Sequence, residues 1–244
     1  MNMHDSAALR EALPYARRYA RALAGSQGAG DALVAESLRR GLPQLPQLPA
    51  RLALYSSITR LSEPPESRTD EPLSAQERCA LLLTSLEGLT VREAAQVLAM
   101  EERDVEVTIS EAREKVKQTV STDVLIIEDE PVIALDIRLL VSRCGHRVVG
   151  VAASETEAIH LAREHRPGLI LADVNLGRGG DGITAVRRIL ESVDVPVIFV
   201  TAYPERLLTA EGVEPAFIIN KPFDRMTLAI ATYQAISAGR VPIA

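Results

Sequence analysis

The sequence predicts a multidomain protein, with an all-α domain followed by an α/β domain built on a doubly wound, parallel, five-stranded sheet. The chain has 244 residues, which is enough for two domains that each bury a core. Up to about residue 118, apolar residues recur at helical spacing. Beyond residue 123, short apolar runs alternate with amphipathic segments, as is typical of a parallel sheet covered by helices on both faces.

The first half divides into two helical regions. Residues 41–49 carry prolines at intervals that a helix cannot accommodate, and residues 62–72 are polar and proline-rich, as in a linker. Ser26 or Asp31 can begin the second helix, and Ser74 and Thr90, each with a Glu three residues later, predict capping boxes. Helices are expected at about 8–23, 30–39, 50–61, 74–88, 90–99 and 102–118.

The second half alternates strands and helices. Strands are expected at 124–130, 147–152, 168–174, 196–201 and 216–220, and helices at 133–144, 155–164, 182–191 and 224–237. The predicted organisation is residues 1–61, a linker at 62–72, a helix-turn-helix arrangement at 73–118, a second linker at 119–122 and the α/β domain at 123–244.

Composition and charge narrow the functional classes. Hydrophobic residues make up 47% of the chain and charged residues 25%, and no 18 apolar residues run together, so we expect a cytoplasmic protein without a membrane span. Cys79 and Cys144 have no metal-ligand spacing and are expected to be free thiols. The net charge is −6, divided as −2 for residues 1–120 and −4 for residues 121–244, which argues against a broad nucleic-acid-binding face.

Reactive side chains follow four of the predicted strands. They are Glu128, Asp129, Asp173, Thr201 and Lys221. The carboxyl ends of parallel strands meet at one edge of a sheet, where α/β proteins bind their ligands. Three carboxylates close together require a cation, and Mg²⁺ suits them. Asp173 is the candidate phosphoryl acceptor, with Lys221 and Thr201 available to phosphoryl oxygens. The alternative is that these acids only solvate loop ends.

Residues 123–240 resemble a CheY-like receiver domain, which has a flavodoxin-like fold, in the order and spacing of those five residues. The resemblance implies phosphorylation of Asp173 by a sensor histidine kinase, and Mg²⁺ held by Glu128, Asp129, Asp173 and the backbone carbonyl of Asn175. It implies a cis peptide before Pro222. It also makes Thr201 and Tyr203 the switch residues, although core packing is the alternative for Tyr203.

The helical half resembles an extracytoplasmic-function sigma factor. LSAQERCALLLTSLEGLT and REAAQVLAM, within residues 73–117, are similar to region 4, and GDALVAESL, within residues 16–38, is similar to region 2. The would-be recognition helix, 101–117, carries six acids against four bases, which is unfavourable against phosphates. Tyr55 is the only aromatic residue in the segment RLALYSSITRL. We therefore expect no direct DNA binding.

A sigma-like domain ahead of a receiver resembles the PhyR family of general stress response regulators. The resemblance implies an anti-anti-sigma factor that, once phosphorylated, sequesters a NepR-type anti-sigma factor and frees the stress sigma factor. Before phosphorylation, the receiver is expected to mask the sigma-like half. Two alternatives stay open: a receiver-controlled transcription regulator or sigma factor that binds DNA, and a phosphate sink with a helical dimerisation module. In none of these readings is the chain an enzyme whose purpose is turnover.

Overall fold

A computed structural model of the chain describes residues 3–42, 48–62, 73–116, 121–202, 207 and 217–238. The chain divides into two compact units, Met1–Val116 and Lys117–Ala244. The first is helical, and the second contains a five-stranded parallel sheet. The predicted fold class is therefore confirmed. None of the described helices is both long enough and apolar enough to cross a membrane.

The helices of the first unit follow the predicted order. They are α1 (Met3–Ala24), α2 (Gln27–Arg40), α3 (Ala50–Leu61), α4 (Ala75–Leu81), α5 (Val91–Leu98) and α6 (Glu102–Val116). The start of α1 lies five residues before the predicted one, and the helix continues through Pro14. Residues 43–47 of the proline-spaced loop, 63–72 of the first predicted linker and 119–120 of the second lie outside the described residues, as do 117–118 at the end of the last predicted helix.

Local capping sets several helix boundaries in this unit. The Ser26 hydroxyl accepts a hydrogen bond from Ala29 N–H, so Ser26 rather than Asp31 caps α2. Ser74 and Thr90 form the two predicted capping boxes at the starts of α4 and α5. One boundary differs from the prediction. The helix expected at 74–88 changes after α4 into a π-helical turn, Leu82–Leu86, whose effect on Glu87 is described below.

The first unit packs its two helical regions against each other. Helix α1 lies against α2 and α3, and α3 also packs against α5, which belongs to the second region. Tyr19 and Tyr55 are fully buried, with ring centroids 4.9 Å apart. Helices α1 and α2 approach so closely that a Cβ on Gly30 would lie 2.6 Å from the backbone of Arg21. Glycine is therefore required at this helix crossing.

The second unit has strand order β2-β1-β3-β4-β5, with all neighbours parallel. Its elements are β1 (Asp123–Ile127), α7 (Pro131–Arg143), β2 (Arg147–Ala152), α8 (Glu155–His165), β3 (Leu169–Ala172), α9 (Gly182–Leu190), β4 (Val197–Thr201), β5 (Phe217–Asn220) and α10 (Arg225–Ala238). All four residues of β3 are buried. This explains the continuous apolar run in the sequence, because a central parallel strand has no face in water.

Strand register brings the predicted reactive residues to one edge of the sheet. Ile127 pairs with Ala172, and the N–H of Asp173 donates to the carbonyl of Ile127 over 2.8 Å. On the other side, Thr201 of β4 pairs with Asn220 of β5, the residue before Lys221. The acids after β1 and β3 and the lysine after β5 therefore emerge at the same level of the sheet.

Candidate functional site

A three-residue ionic cluster lies at the carboxyl edge of the sheet. The ammonium of Lys221 is 2.7 Å from Asp173 Oδ2 and 2.7 Å from Glu128 Oε2. These side chains are largely buried, with exposed fractions of 14% for Lys221, 11% for Asp173 and 0% for Glu128. Because these side chains are buried, water screens the two contacts weakly, and the single ammonium attracts both carboxylates strongly.

Burial and the ion pairs shift the pKa values of two members of this cluster. Burial, the largest influence, raises the pKa of Glu128 even though the Lys221 ammonium acts in the opposite direction. Burial by itself lowers the pKa of Lys221, but the hydrogen bonds to Asp173 and Glu128 outweigh it, so the Lys221 pKa is raised. Lys221 therefore remains a cation at neutral pH.

The backbone around Asp173 fixes the direction of its carboxylate. Oδ1 of Asp173 accepts hydrogen bonds from the N–H of Val174, at 2.5 Å, and of Asn175, at 3.3 Å. Gly182, at the start of α9, approaches so closely that a Cβ there would lie 1.8 Å from the Asp173 carbonyl oxygen. The loop after β3 thus folds back against the start of α9, and only glycine fits at this position.

A cavity of about 810 Å³ opens beside Asp173. Asp129, Asp173, Asn175, Gly177 and Lys221 are among its lining residues. Gly177, with φ of +50°, lies next to Asp129, because a Cβ there would be 2.8 Å from Asp129 Oδ2. The cavity therefore brings Asp129, Asp173 and Lys221 to the wall of one space that solvent can reach.

Glu128 is not among the residues that line this cavity. Its Oε2 accepts from Lys221, and its Oε1 accepts from the N–H of Glu130 at 3.3 Å. Both carboxylate oxygens of Glu128 thus have hydrogen-bond partners within the protein. The structure gives Glu128 a direct contact with Lys221, and its predicted contact with Mg²⁺ stays a prediction.

The remaining predicted residues are Thr201, Pro222 and Tyr203. Thr201 is fully buried at the end of β4, and its carbonyl accepts the N–H of Lys221 at 2.9 Å. The peptide between Lys221 and Pro222 is cis, as predicted. Tyr203 lies outside the described residues. Of the predicted residues that the structure describes, Asp129, Asp173, Asn175 and Lys221 line the cavity, whereas Glu128 and Thr201 do not.

The donor set at the cavity suits a hard divalent cation. Within the described parts of the chain, no three His, Cys, Asp or Glu side chains form a metal cluster. The oxygens available are those of Asp129 and Asp173, together with the carbonyl of Asn175. Two carboxylates and a carbonyl match Mg²⁺, which binds few protein ligands and keeps several waters.

Two glycines at this site were not identified from the sequence. At Gly182 a Cβ would collide with the backbone of Asp173, and at Gly177 the backbone has a φ of +50° and a Cβ would press on the Asp129 carboxylate. Their signal was present as the glycine-rich loop NLGRGGDG after Asp173, which is typical of close backbone contact.

Helix α6 presents an acidic outer face. Val105, Ile109, Ala112 and Val116 are its buried residues, as the helical period requires. All six acids counted in the sequence are exposed, namely Glu101, Glu102, Asp104, Glu106, Glu111 and Glu114. This is the surface that a recognition helix would turn toward DNA, and its charge has the wrong sign.

Comparison with protein families assigns each part of the chain. Residues 9–58 match the family described as the Sigma2 domain of PhyR, and residues 71–118 match the sigma-like domain of the response regulator PhyR. Residues 124–232 match the response regulator receiver domain. The chain is also 42% identical to the Phyllosphere-induced regulator PhyR of Methylorubrum extorquens, over 92% of this chain and 91% of that protein.

The chain belongs to the PhyR family. The crystal structure of the response regulator PhyR from Brucella abortus is similar, with 38% identity and a TM-score of 0.83 over 97% of this chain and 95% of that one. The anti-anti-sigma factor PhyR from Bartonella quintana is 37% identical, with a TM-score of 0.83 over 96% of each chain.

Membership of the PhyR family makes the chain a response regulator of the anti-anti-sigma class, with a sigma-like domain ahead of its receiver. The predicted family and function are thereby confirmed. PhyR proteins are signalling proteins, and receiver domains bind Mg²⁺.

Proposed function

We propose that phosphorylation of Asp173 frees the sigma-like half of this chain to sequester a NepR-type anti-sigma factor. The observation that carries the proposal is the cluster of Asp173, Lys221 and Glu128 beside an open cavity, in a chain whose first half is sigma-like but has an acidic α6. The first feature supports a phosphoryl acceptor. The second supports a protein partner rather than promoter DNA.

Asp173 is the proposed nucleophile. Its Oδ2 faces Lys221, and the N–H groups of Val174 and Asn175 hold its Oδ1, so the carboxylate has one fixed orientation. A sensor histidine kinase supplies the phosphoryl group, which moves from the kinase imidazole to a carboxylate oxygen of Asp173. Lys221 then contacts a phosphoryl oxygen as a point charge. The receiver assists its own phosphorylation and acts as a switch, without turnover as its purpose.

Mg²⁺ is the proposed cofactor. Asp129, Asp173 and the carbonyl of Asn175 would hold it, with Glu128 as the further predicted ligand. When bound, the cation neutralises charge on the incoming phosphoryl group. Glu128 and Lys221 also have a role that needs no metal, because their ion pair holds the ammonium next to Asp173.

The proposed switch has two states. In the resting state the receiver (residues 123–244) masks the sigma-like half (residues 1–61 and 73–118). After phosphorylation, Thr201 and Tyr203 shift toward the phosphoryl group, and the masking face of the receiver changes. A change from 1:99 to 99:1 between these states requires about 5.5 kcal/mol. Loss of the Lys221–Asp173 contact and gain of a charged group beside it supply that energy.

The proposed location is the cytoplasm, and the proposed partners are proteins. Cys79 and Cys144 are free thiols, which agrees with a reducing compartment. The exposed acids of α6 oppose contact with DNA phosphates, which disfavours a sigma factor or other DNA-binding regulator.

The test is the affinity of the full-length chain for a NepR-type anti-sigma factor, with and without Mg²⁺ plus beryllofluoride, an analogue of the aspartyl phosphate. We expect tighter binding with the analogue, and no change on its addition to Asp173→Ala. Asp194→Asn is the matched control, because Asp194 is exposed and precedes β4 rather than following it. Equal binding in both states of the wild-type chain, or induction that survives in Asp173→Ala, would overturn the proposal.

A further inference from the structure

A buried carboxylate outside the phosphorylation site joins the two helical regions of the sigma-like unit. Glu87, in the turn after α4, forms a two-pronged ion pair with Arg18 of α1. Arg18 Nε lies 2.8 Å from Glu87 Oε1, and Arg18 Nη2 lies 2.8 Å from Oε2. Only 4% of the Arg18 side chain and 2% of the Glu87 side chain are exposed. Paired, planar contacts of this kind fix orientation as well as distance.

Helix α3 supplies further donors to the same residue. The Tyr55 hydroxyl donates to Glu87 Oε2 over 2.5 Å, and Arg51 Nη2 donates to the Glu87 carbonyl over 2.6 Å. Arg51 in turn lies over the ring of Tyr15, 4.6 Å from its centroid. The donors all belong to the region that matches the Sigma2 domain, and the acceptor belongs to the region that matches the sigma-like domain.

The π-helical turn at Leu82–Leu86 directs Glu87 into this contact. The N–H of Glu87 donates to the carbonyl of Leu82, five residues earlier, over 3.0 Å. One residue more per turn changes the direction of all that follows by about 100° relative to a regular α-helix. Without the π turn, Glu87 would lie on a different side of the helix from Arg18 and Tyr55.

A buried ion pair of this kind is not in itself a strong source of stability. Removing two charges from water is costly, and apolar side chains of similar volume would often be at least as stable. Helices α3 and α5 are in contact across the two regions, but apolar packing is non-directional and does not by itself select one orientation. Arg18 and Glu87 form both of their contacts at one relative orientation, and the cost of burying them includes Arg18 Nη1, which has no hydrogen-bond partner among the described residues.

We propose that Glu87 is a positioning residue that holds the two helical regions of the sigma-like unit in one orientation, and so presents a preformed surface to the anti-sigma partner. The partner part of this inference rests on the proposed function. Glu87 is buried, so it acts through the helices that it joins and not by touching the partner. Phosphorylation of the receiver does not enter its role.

The test compares Glu87→Gln with the wild-type full-length chain, both with Mg²⁺ and beryllofluoride, against a NepR-type anti-sigma factor. If the binding orientation is populated in only a fraction of molecules, the apparent affinity falls by that fraction. We expect a loss of about tenfold or more, carried by the association rate, with the dissociation rate little changed. Asp123→Asn, at an exposed ion pair with Arg147, makes the same chemical change and should leave both rates unaltered.

A second measurement needs no partner. Backbone hydrogen exchange of the wild-type chain should give similar protection to α3 and α5, and Glu87→Gln should lower the protection of α5 relative to α3. Tyr55→Phe keeps the ion pair and should show both effects in smaller degree. Unchanged association rate and unchanged protection in Glu87→Gln would overturn the inference. If the wild-type chain binds no anti-sigma factor, the proposed function fails, and hydrogen exchange still decides whether Glu87 joins the two regions.

Discussion

Lys221 is the residue on which the charge balance of the proposed phosphorylation site depends. Its ammonium faces Asp173 and the fully buried side chain of Glu128 at the same distance, 2.7 Å. If the ammonium were absent, Glu128 would be a buried carboxylate whose remaining hydrogen bond is a 3.3 Å contact from Glu130 N–H. The proposed role of Lys221 in phosphoryl transfer is therefore combined here with a structural one.

Lys221→Met should destabilise the receiver. Breaking a buried ion pair costs about 3–5 kcal/mol, and because Asp173 is partly exposed we expect a loss of about 3 kcal/mol in the free energy of unfolding. Urea unfolding at pH 7, followed in the receiver, measures it. Arg147→Met removes the exposed pair with Asp123 and should leave the free energy of unfolding almost unchanged, because water screens that pair. Equal losses in the two variants would contradict the assignment of Lys221 as a buried counterion.

The contribution of Lys221 to the free energy of unfolding should depend on pH. The pKa of Lys221 is higher in the folded chain than in the unfolded one, so the folded state holds its proton more tightly. Its stabilising contribution is complete below the unfolded lysine pKa, about 10.4, and is lost as pH rises through the higher folded value. The difference in unfolding free energy between the wild-type chain and Lys221→Met should stay constant from pH 8 to that point and then shrink. A constant difference through the alkaline range would contradict this.

At the scale of elements, the junction between β3 and α9 sets the direction of Asp173, the proposed phosphoryl acceptor. The N–H of Gly182 donates to the carbonyl of Val174 over 2.9 Å, which brings the start of α9 against the residues after β3. The contact is so close that the carbonyl oxygen of Asp173 occupies the position of a Cβ on Gly182. The helix and the nucleophile are thus placed by the same backbone contact.

Gly182→Ala should therefore force the loop away from α9. Overpacking of a tight site typically costs about 1–3 kcal/mol, and we expect about 2 kcal/mol together with weaker binding of beryllofluoride. Gly28→Ala is the matched control, because a Cβ at Gly28 meets no atom within 4 Å. Since alanine favours helices more than glycine does, that variant should be as stable as the wild-type chain or more so. Denaturant unfolding and analogue titration of both variants test this prediction.

The acidic face of helix α6 predicts how the chain behaves toward DNA. We expect no promoter-specific binding by the wild-type chain. Glu106→Lys with Glu111→Lys should create weak, sequence-independent binding that disappears with added salt, because each new phosphate contact releases counterions. Fluorescence anisotropy with duplex DNA at several salt concentrations measures this. Glu191→Lys with Asp194→Lys makes the same charge change in the receiver and serves as the control. Salt-resistant, promoter-specific binding by the wild-type chain would restore the DNA-binding alternative.

At the scale of the whole molecule, the chain consists of two compact units, and each has its own core. The sigma-like unit packs α1, α3 and α5 around a buried ionic cluster, whereas the receiver packs helices onto both faces of its sheet. In the proposed control, the sigma-like unit is in equilibrium between a masked and an available state. A ligand shifts this equilibrium only if it has a different affinity for each state.

Separating the units should uncouple binding from phosphorylation. We expect residues 1–118 to bind the NepR-type anti-sigma factor with the affinity of the activated full-length chain. Beryllofluoride should not change that affinity. The receiver alone should bind the analogue and not the anti-sigma factor. Isothermal titration of each fragment, with the full-length chain alongside, tests this. Binding by residues 1–118 that is as weak as that of the resting chain would contradict masking as the means of control.

The classes and order of the elements were predictable from the sequence because they depend on neighbours a few residues apart. Helical spacing, capping pairs such as Ser74 with Glu77, and buried apolar runs all act within one or two turns of chain. The boundaries were less predictable. Helix α1 begins earlier than expected, and the π turn after α4 has no sequence pattern that we recognised. The strand-end residues of the receiver followed from the rule that parallel strands end at one edge.

The sequence by itself thus determined the two-part architecture, the five candidate residues at the sheet edge and the acidic character of α6. Only the tertiary structure decided which partners the buried charges take. Glu128 meets Lys221 across 93 residues, and Arg18 meets Glu87 across 69. Such pairings depend on how whole elements pack, and a local pattern holds no information about them. For the same reason, the close approaches at Gly177 and Gly182 became visible only once strand and helix were brought together.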